Sequence, residues 1–300
     1  MHSISDVQTL RAFVAVAREG TVTRAAERLH RSQPAVSLQL KALATATGLE
    51  LFTRTVRGLV LTPEGIALLP QAERVLAALD DFNQAGRGLQ STVRGTLRIG
   101  TILDPEFIRL GAFLKELVES APQIETELRQ EMSGNVRAQL ERGDLDVGFY
   151  LGPPDGQDLA RGVIESRPLS DFTYRVVAPA GWGPQVLGRD WKALAALPWL
   201  ATPPASAHHR LLAEVFRPLG VKPRRVALVD QEASMLDLVR SGVGLSLVRD
   251  SIAMREAQAR GLVIADRVSL DCRLSFLFLR ARAKEPVITS AIEALAQAWR

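Results

Sequence analysis

The sequence predicts a multidomain chain of the α+β class: a small N-terminal domain made mostly of helices, one long linker helix, and a C-terminal region of two α/β lobes. Three patterns predict this architecture. Short amphipathic helical patterns fill residues 1–65, and an apolar repeat in steps of four and three residues follows. From Arg94 onward, short β-rich runs alternate with amphipathic helices. A length of 300 residues allows two or three folding units.

Composition is that of a globular protein, with 47% hydrophobic and 23% charged residues. Asp6 and Arg11 interrupt the first residues, so no signal peptide is expected there. The longest uncharged stretch, residues 193–209, contains three prolines and does not fit a membrane span. Cys272 is the single cysteine, which excludes an internal disulfide and a multi-cysteine metal site. We therefore expect a cytoplasmic protein without a membrane partner.

Positive charge is concentrated at the N-terminus. Residues 1–65 contain eight Lys or Arg and five Asp or Glu, which accounts for +3 of the net charge of +4. A surface that binds phosphate groups needs such a concentration of bases.

Helix-capping patterns divide the N-terminal domain into short helices. Ser5 and Gln8 form a capping box that should begin the first helix, and Gly20 should end it. Thr23 is expected to cap a second helix over residues 24–29.

A third helix should begin at Ser32, after a turn of three residues, with Pro34 in its first turn. Two short helices joined in this way predict a helix-turn-helix, whose last helix enters the major groove of DNA. Its core face is Val36, Leu40 and Leu43. Its opposite face is Pro34, Ser37, Leu38, Lys41 and Thr45, with Gln33 on the flank. The alternative is an ordinary solvated helix face.

Residues 51–62 alternate polar and apolar side chains around Gly58, as in a small hairpin, with Arg54 and Arg57 near its tip. Such a hairpin is a wing, and its arginines are suited to the minor groove or to phosphate. Exposed arginines are otherwise solvated charges.

These ordered motifs resemble the N-terminal signature of LysR-type transcriptional regulators. The matching segments are residues 25–30 (AAERLH), 32–37 (SQPAVS), Leu51-Phe52, Arg54, Leu61-Thr62 and Gly65. The resemblance implies that Gln33, Pro34 and Ser37 contact operator DNA and that Arg54 is the wing arginine. Leu38 departs from the Arg or Gln that is frequent in relatives, so the operator sequence stays open. The predicted DNA contacts are Thr23, Arg31, Ser32, Gln33, Pro34, Ser37, Leu38, Lys41, Arg54 and Arg57.

The linker helix should start at Thr62, Pro63 and Glu64 and bend at Pro70. Its apolar seam, with the spacing of a coiled coil, is Leu68, Ala72, Val75, Leu79 and Phe82. The seam predicts a homodimer, although a helix docked on its own domain has the same pattern. The resemblance implies dimerisation through this helix and adds a homotetramer through the C-terminal domains.

The C-terminal region predicts two lobes with mainly parallel sheets. Predicted strands are 96–101, 124–130, 145–150, 174–178, 226–229, 243–248 and 273–279, and predicted helices include 105–119, 134–142 and 287–299. The resemblance implies a periplasmic-binding-protein-like effector domain. The expected domains are 1–65, 66–91 and 92–300, with lobe I at about 92–165 and 269–300 and lobe II at about 166–268.

An effector site is expected between the lobes, beyond the carboxyl ends of strands and beside helix N-termini. The candidates are Thr101, Ile102, Leu103, Asp104, Ser133, Gly134, Thr202, Pro203, Gln231 and Glu232. Each of them is also explained as a helix cap. If Asp104 and Glu232 point into the pocket, they favour a ligand with a cationic group. If they only cap helices, an organic anion is favoured, and we expect a small organic acid.

Enzyme signatures are poor. Gly242 and Gly244 lack the third glycine of a dinucleotide fingerprint, and His208 with His209 is too small a set for a metal site. We therefore predict no catalytic residue, metal or cofactor. The expected function is transcription control through double-stranded operator DNA and a small-molecule effector, with RNA polymerase as a further candidate partner. The alternatives are a solute-binding protein and an enzyme fused to a DNA-binding module.

Overall fold

The computed structural model describes residues 6–55, 58–90, 92–102, 104–154 and 162–300. The chain divides into two compact units, residues 1–90 and 91–300. Two predicted site residues, Arg57 and Leu103, lie outside the described residues, and so does the side chain of Glu232. Among the described residues, no helix combines the length and the apolarity that crossing a membrane requires.

The first unit is a helical domain with a two-stranded hairpin. Its elements are α1 (Val7–Glu19), α2 (Val22–Arg28), α3 (Gln33–Thr47), β1 (Phe52–Thr55), β2 (Gly58–Leu61) and α4 (Pro63–Gln90). The hairpin is antiparallel and pairs Phe52 with Leu61. Phe13 packs edge-to-face on Phe52 in the core, where Leu43 is also buried. The predicted winged helix-turn-helix is therefore confirmed.

Two of the predicted helix caps are wrong by two residues or fewer. Asp6 caps α1, because its carboxylate accepts a hydrogen bond from the Gln8 amide at 2.8 Å, and the predicted Ser5 lies outside the described residues. Thr21, not Thr23, caps α2. Adjacent small polar residues offer the same oxygen, and only the backbone decides which one faces the free amides. Ser32 caps α3 as predicted.

Helix α4 begins as predicted, with the Thr62 hydroxyl accepting from the Gly65 amide at 3.0 Å. It runs as one helix through Pro70 to Gln90. A Cβ on Gly65 would lie 2.2 Å from the Leu51 carbonyl oxygen, so only glycine allows the first turn to pass so close to the chain before the hairpin.

The second unit is α/β. Its strands are β3 (Arg94–Thr101), β4 (Gln123–Gln130), β5 (Val147–Gly152), β6 (Ile164–Ala178), β7 (Pro198–Ala201), β8 (Arg224–Leu228), β9 (Ser246–Arg249) and β10 (Val263–Leu279). Its helices are α5 (Leu110–Ser120), α6 (Ser133–Arg142), α7 (Gly183–Val186), α8 (Trp191–Ala195), α9 (Ala207–Phe216), α10 (Glu232–Arg240), α11 (Asp250–Arg260) and α12 (Pro286–Ala298).

The sheets are mixed, which corrects the prediction of mainly parallel sheets. Six strands follow the order β4-β3-β5-β10-β6-β9, and β10 is antiparallel to both β5 and β6. Strands β6 and β10 are much longer than the predicted 174–178 and 273–279 because each crosses from one lobe to the other. The separate pair β7 and β8 is parallel.

Each lobe has its own apolar core. Lobe I contains β3, β4, β5, α5, α6 and α12, and Phe113, Phe149 and Phe276 meet edge-to-face in its core. Lobe II contains β7, β8, β9 and α7 to α11, around Trp199 and Phe216. Two crossing strands therefore join the lobes.

Helix α5 starts at Leu110 rather than at Pro105. Arg109, just before it, has a left-handed backbone with φ of 50°, which interrupts a helix that the apolar pattern alone would extend. The Asp104 carboxylate instead accepts from the Phe107 amide at 2.9 Å. The residues between β3 and α5 thus form a turn at the end of the sheet.

Candidate DNA-binding surface and ligand pocket

The face of α3 opposite the core is exposed. Val36 and Leu43 are buried, whereas Ser37, Leu38 and Lys41 face solvent. Leu38 is 69% exposed and so is accessible to a partner. The arrangement fits a helix that reads base edges with small polar and apolar side chains.

Gln33 is held in place by α2. Its side-chain nitrogen donates to the hydroxyl of Thr23, in the first turn of α2, at 2.8 Å, and both side chains are exposed. Thr23 therefore contacts Gln33 and does not cap α2. Ser32, Pro34 and Arg31 are exposed beside them.

Arg24, Arg31, Lys41 and Arg54 are among the bases of the first unit that have no ion-pair partner within the described part of the chain. Other bases are paired with acids, Arg28 with Glu19 at 2.7 Å and Arg18 with Glu73 at 2.9 Å. Unpaired exposed bases are the ones that can neutralise phosphates without first losing an internal partner.

The wing is fixed to the end of α1. The Leu59 amide donates to the Gly20 carbonyl at 2.8 Å, and a Cβ on Gly58 would lie 2.5 Å from that oxygen. Gly58 has φ of 129°, a conformation that favours glycine. Arg54 is exposed on β1 of this anchored hairpin.

The predicted seam of α4 divides into two parts. Ala72 is buried and Leu68 partly buried against the core of the same unit, as in the docked-helix alternative. Leu79 is half-buried, while Val75 and Phe82 are 49% and 75% exposed. The free part of the seam therefore begins at Val75.

A cavity of about 620 Å³, including its opening to solvent, lies between the lobes. Lobe I lines it with Ile102, Asp104, Phe107, Glu131, Met132, Ser133 and Leu151, and the crossing strand β6 lines it with Tyr174. Lobe II lines it with Thr202, Ser206, Ala207, His208, Asp230, Met235 and Arg249. Four residues predicted from sequence are among them: Ile102, Asp104, Ser133 and Thr202.

Four other predicted residues do not line the cavity. The Thr101 hydroxyl is buried and lies 3.4 Å from the Arg129 carbonyl on the neighbouring strand. Gly134 is a contact between the lobes, since its amide donates to the Ala205 carbonyl at 2.9 Å and a Cβ would lie 2.7 Å from that oxygen. Pro203 and the exposed Gln231 lie outside the cavity lining.

Arg249, at the end of β9, is the buried cation of the cavity. It forms an ion pair with Asp104 of lobe I. Its guanidinium also lies over the Phe107 ring, 4.2 Å from the centroid. A guanidinium is a donor whose fork geometry matches a carboxylate, so Arg249 can bind an acidic group in this place.

Two buried polar atoms of the cavity wall have no hydrogen-bond partner among the described residues, Thr202 Oγ1 and His208 Nδ1. Their residues are only 7% and 8% exposed. Burial, with a smaller effect of the Arg249 charge, lowers the pKa of His208 to about 4, so the ring is neutral near pH 7. Buried groups of this kind are normally hydrogen-bonded, which indicates a place for a polar ligand.

Arg210 joins the lobes at the edge of the cavity. It donates from α9 to the Ser133 hydroxyl at 2.8 Å and to the Leu151 carbonyl at 2.6 Å, and it also contacts Tyr150. Ser133, a predicted effector residue, is therefore engaged by Arg210.

Sequence reasoning missed Arg249, His208 and Arg210. Arg249 could have been found by the rule applied to Thr101, because it is the charged residue at the carboxyl end of a buried strand. His208 and Arg210 follow the Ser206 cap of α9, but no local pattern distinguishes them from surface residues of a helix.

Two family models together match almost the whole chain. Residues 7–66 match the bacterial regulatory helix-turn-helix protein of the lysR family, and residues 90–300 match the LysR substrate binding domain. The chain belongs to the LysR family. It is a DNA-binding transcriptional regulator with an effector-binding domain.

Relatives and solved structures agree with this assignment. The LysR-family chain is 30% identical over 253 residues to the HTH-type transcriptional regulator ClcR of Pseudomonas putida, covering 83% of this chain and 84% of that one. It is 28% identical to XapR of Escherichia coli, covering 83% and 84%. A full-length OxyR variant from Pseudomonas aeruginosa has the same fold, with a TM-score of 0.52, 23% identity and 98% and 99% of the chains covered. Full-length BenM is similar in fold, with a TM-score of 0.51, 21% identity and 97% and 96% covered.

Proposed function

We propose that this regulator binds operator DNA with the exposed face of α3 and the wing, and that a small organic acid between the two lobes changes how it binds. The observation that carries the proposal is the composition of the cavity wall, where a buried arginine, Arg249, lies with the unpartnered atoms Thr202 Oγ1 and His208 Nδ1.

The buried cation favours an acid over a base. A cationic ligand would meet Arg249 in a buried wall, whereas a carboxylate would be bound by a charge-assisted hydrogen bond. Two further acids line the cavity, but Asp230 is exposed, and the half-buried Glu131 already accepts from the Asn135 side chain at 3.0 Å. Asp104 is itself paired with Arg249, so it offers less to a cationic ligand than its charge suggests.

The proposed DNA contacts rest on exposure and charge. Gln33, Ser37 and Leu38 offer groups for base edges, while Lys41 and Arg54 offer charge for phosphates. We further propose that the protein forms a homodimer through the free part of the α4 seam. The proposed domains are residues 1–65, 66–91 and 92–300. The protein is proposed to act on the bacterial chromosome in the cytoplasm. The resemblance adds a homotetramer to this proposal, and RNA polymerase is a further candidate partner.

The test of the ligand class is a thermal-unfolding screen of the purified full-length protein against a panel of small carboxylic acids and the matching amides. We expect at least one acid, and not its amide, to raise the unfolding temperature and to change binding to an operator found by genomic mapping of bound sites. Stabilisation only by amines or by neutral compounds would contradict the proposal.

Threonine variants show whether the active acid binds in this cavity. Thr202→Val removes the unpartnered hydroxyl at nearly constant volume and should weaken the response about tenfold, or ~1.4 kcal/mol, without changing ligand-free DNA binding. Thr101→Val is the matched control, because its hydroxyl bonds within the sheet, outside the cavity. Equal responses of both variants would place the ligand elsewhere.

A further inference from the structure

The strongest feature of the cavity is an ion pair across it, formed by Asp104 of lobe I and Arg249 of lobe II. The carboxylate is held by more than the arginine, since its other oxygen accepts from the Phe107 amide at 2.9 Å. The guanidinium carbon of Arg249 lies over the Phe107 ring, 4.2 Å from the ring centroid. One turn of lobe I thus supplies both a charge and an aromatic face to Arg249.

We propose that Asp104 is an internal competitor for the ligand: its carboxylate occupies the Arg249 guanidinium until the carboxylate of a hydroxy acid displaces it. This inference rests on the proposed function, because it names the ligand class and the regulation of the same cavity.

Burial decides which partner of the pair moves. The Asp104 side chain is 34% exposed, whereas that of Arg249 is 10% exposed. The aspartate can turn to water and be solvated there, but the arginine has no such route and needs an anion beside it. A ligand carboxylate therefore replaces Asp104 rather than joining it.

This exchange sets which ligands bind. A neutral ligand that displaced Asp104 would leave a buried charge without its partner, and a simple carboxylate only replaces one ion pair with another. Net affinity must come from a further group. The cavity provides two positions for it, Thr202 Oγ1 and His208 Nδ1, which lack partners among the described residues. A hydroxyl near the carboxylate can donate to one and accept from the other.

The exchange also links binding to the arrangement of the lobes. Asp104 leads from β3 into α5, and Arg249 ends β9 and precedes α11. Displacement removes a direct ion pair between the lobes and replaces it with contacts through the ligand. A ligand that binds the two arrangements unequally shifts the population between them.

The experiment uses three probes of similar size, lactate, propionate and lactamide, titrated calorimetrically into the full-length protein at constant ionic strength. The variant is Asp104→Asn, which keeps an oxygen for the Phe107 amide but removes the competing charge. We expect lactate to bind at least tenfold more tightly to Asp104→Asn than to wild type. Propionate should bind more weakly than lactate to both proteins. Lactamide should gain less than lactate from the substitution, because it brings no anion to Arg249.

Asp230→Asn is the matched control, because it removes a negative charge from the same cavity at another position. Its gain for lactate should stay below threefold. Asp104→Glu keeps the charge, so its lactate affinity should stay within threefold of wild type. It tests the same position with a second variant in case Asp104→Asn does not fold. Equal lactate affinity in wild type and Asp104→Asn would overturn the proposal that Asp104 competes with the ligand. A gain in lactate affinity in Asp230→Asn as large as that in Asp104→Asn would also overturn it.

Absence of lactate binding to every variant would also overturn this inference. The proposed function would still be tested by the screen of acids and amides, because that screen does not depend on the hydroxyl group or on Asp104.

Discussion

At the scale of single residues, charge and hydrogen bonding separate two kinds of DNA contact. Arg54 is an exposed base on the wing, without an ion-pair partner among the described residues, whereas Ser37 is an uncharged side chain on the exposed face of α3. A charge contributes to every DNA sequence alike, while a hydroxyl at a base edge distinguishes sequences. The two residues should therefore respond differently to the same assay.

Arg54→Ala should weaken binding to all DNA sequences and lower the slope of log affinity against log salt by about one. Ser37→Ala should change the preferred sequence and leave the slope unchanged. Fluorescence anisotropy over a range of NaCl concentrations measures both. Arg18→Ala is the control, since Arg18 is paired with Glu73, and an unchanged slope in Arg54→Ala would remove the wing arginine from the interface.

His208 predicts a pH dependence of stability. Its folded pKa of about 4 lies below the usual 6.5, so between these values the unfolded chain binds a proton that the folded chain does not. Stability is therefore complete above pH 6.5 and falls as pH drops toward 4. Between pH 7 and pH 5, the loss through this histidine should be about 2 kcal/mol.

The measurement is urea unfolding at the two pH values. Between pH 7 and pH 5, His208→Gln should lose about 2 kcal/mol less unfolding free energy than wild type. His209→Gln changes an exposed neighbour and should lose as much as wild type. A wild-type pH dependence in His208→Gln would show that folding does not lower the pKa of His208.

At the scale of elements, helix α4 combines two roles along its length. Its first turns pack Leu68 and Ala72 on the core of their own unit, and its later turns expose Val75 and Phe82. Periodicity alone did not separate these roles, because a buried stripe and a dimer seam have the same spacing.

Phe82→Glu should therefore reduce self-association without unfolding the N-terminal unit, since a charge at an apolar helix interface has no partner there. Light scattering measures the mass, and circular dichroism checks the fold. Ala77→Glu, on the other side of the exposed part of α4, is the control and should assemble as wild type. Full assembly of Phe82→Glu would move the interface away from the seam.

At the scale of the whole effector-binding unit, the lobes are tied by Arg210 and by the Gly134 amide. Arg210 reaches from α9 to Ser133 and Leu151, and the Gly134 bond to Ala205 lies beside it. Hydrogen exchange at Gly134 thus reports whether the lobes separate.

Arg210→Ala should speed exchange in the peptide over residues 131–136 about tenfold, because charge-assisted bonds worth ~1.4 kcal/mol of closure are lost. Mass spectrometry of the exchanged peptides measures this rate. Arg217→Ala, at the exposed end of the same helix, should leave it unchanged. If the Arg210 variant exchanges like wild type, other contacts hold the lobes together.

The sequence by itself determined the features that depend on neighbours along the chain. The Ser32 cap, the buried face of α3, the hairpin around Gly58 and the start of α4 at Thr62 all follow from spacing within a few residues, and the order of such motifs was enough to indicate the family. The sequence also predicted four residues that line the cavity, because ligands of α/β domains bind where strands end and helices begin. These residues are Ile102, Asp104, Ser133 and Thr202.

The tertiary structure alone decided which side chains meet. Asp104 and Arg249 are 145 positions apart, and Ser133 and Arg210 are 77 apart, so no local pattern pairs them. Whether β10 runs antiparallel to its neighbours, and whether Leu68 is a dimer contact or a core residue, depends on long-range pairing and on burial. The chemistry of the pocket arises from those contacts, because burial and charge are properties of the surroundings of a residue rather than of its place in the chain.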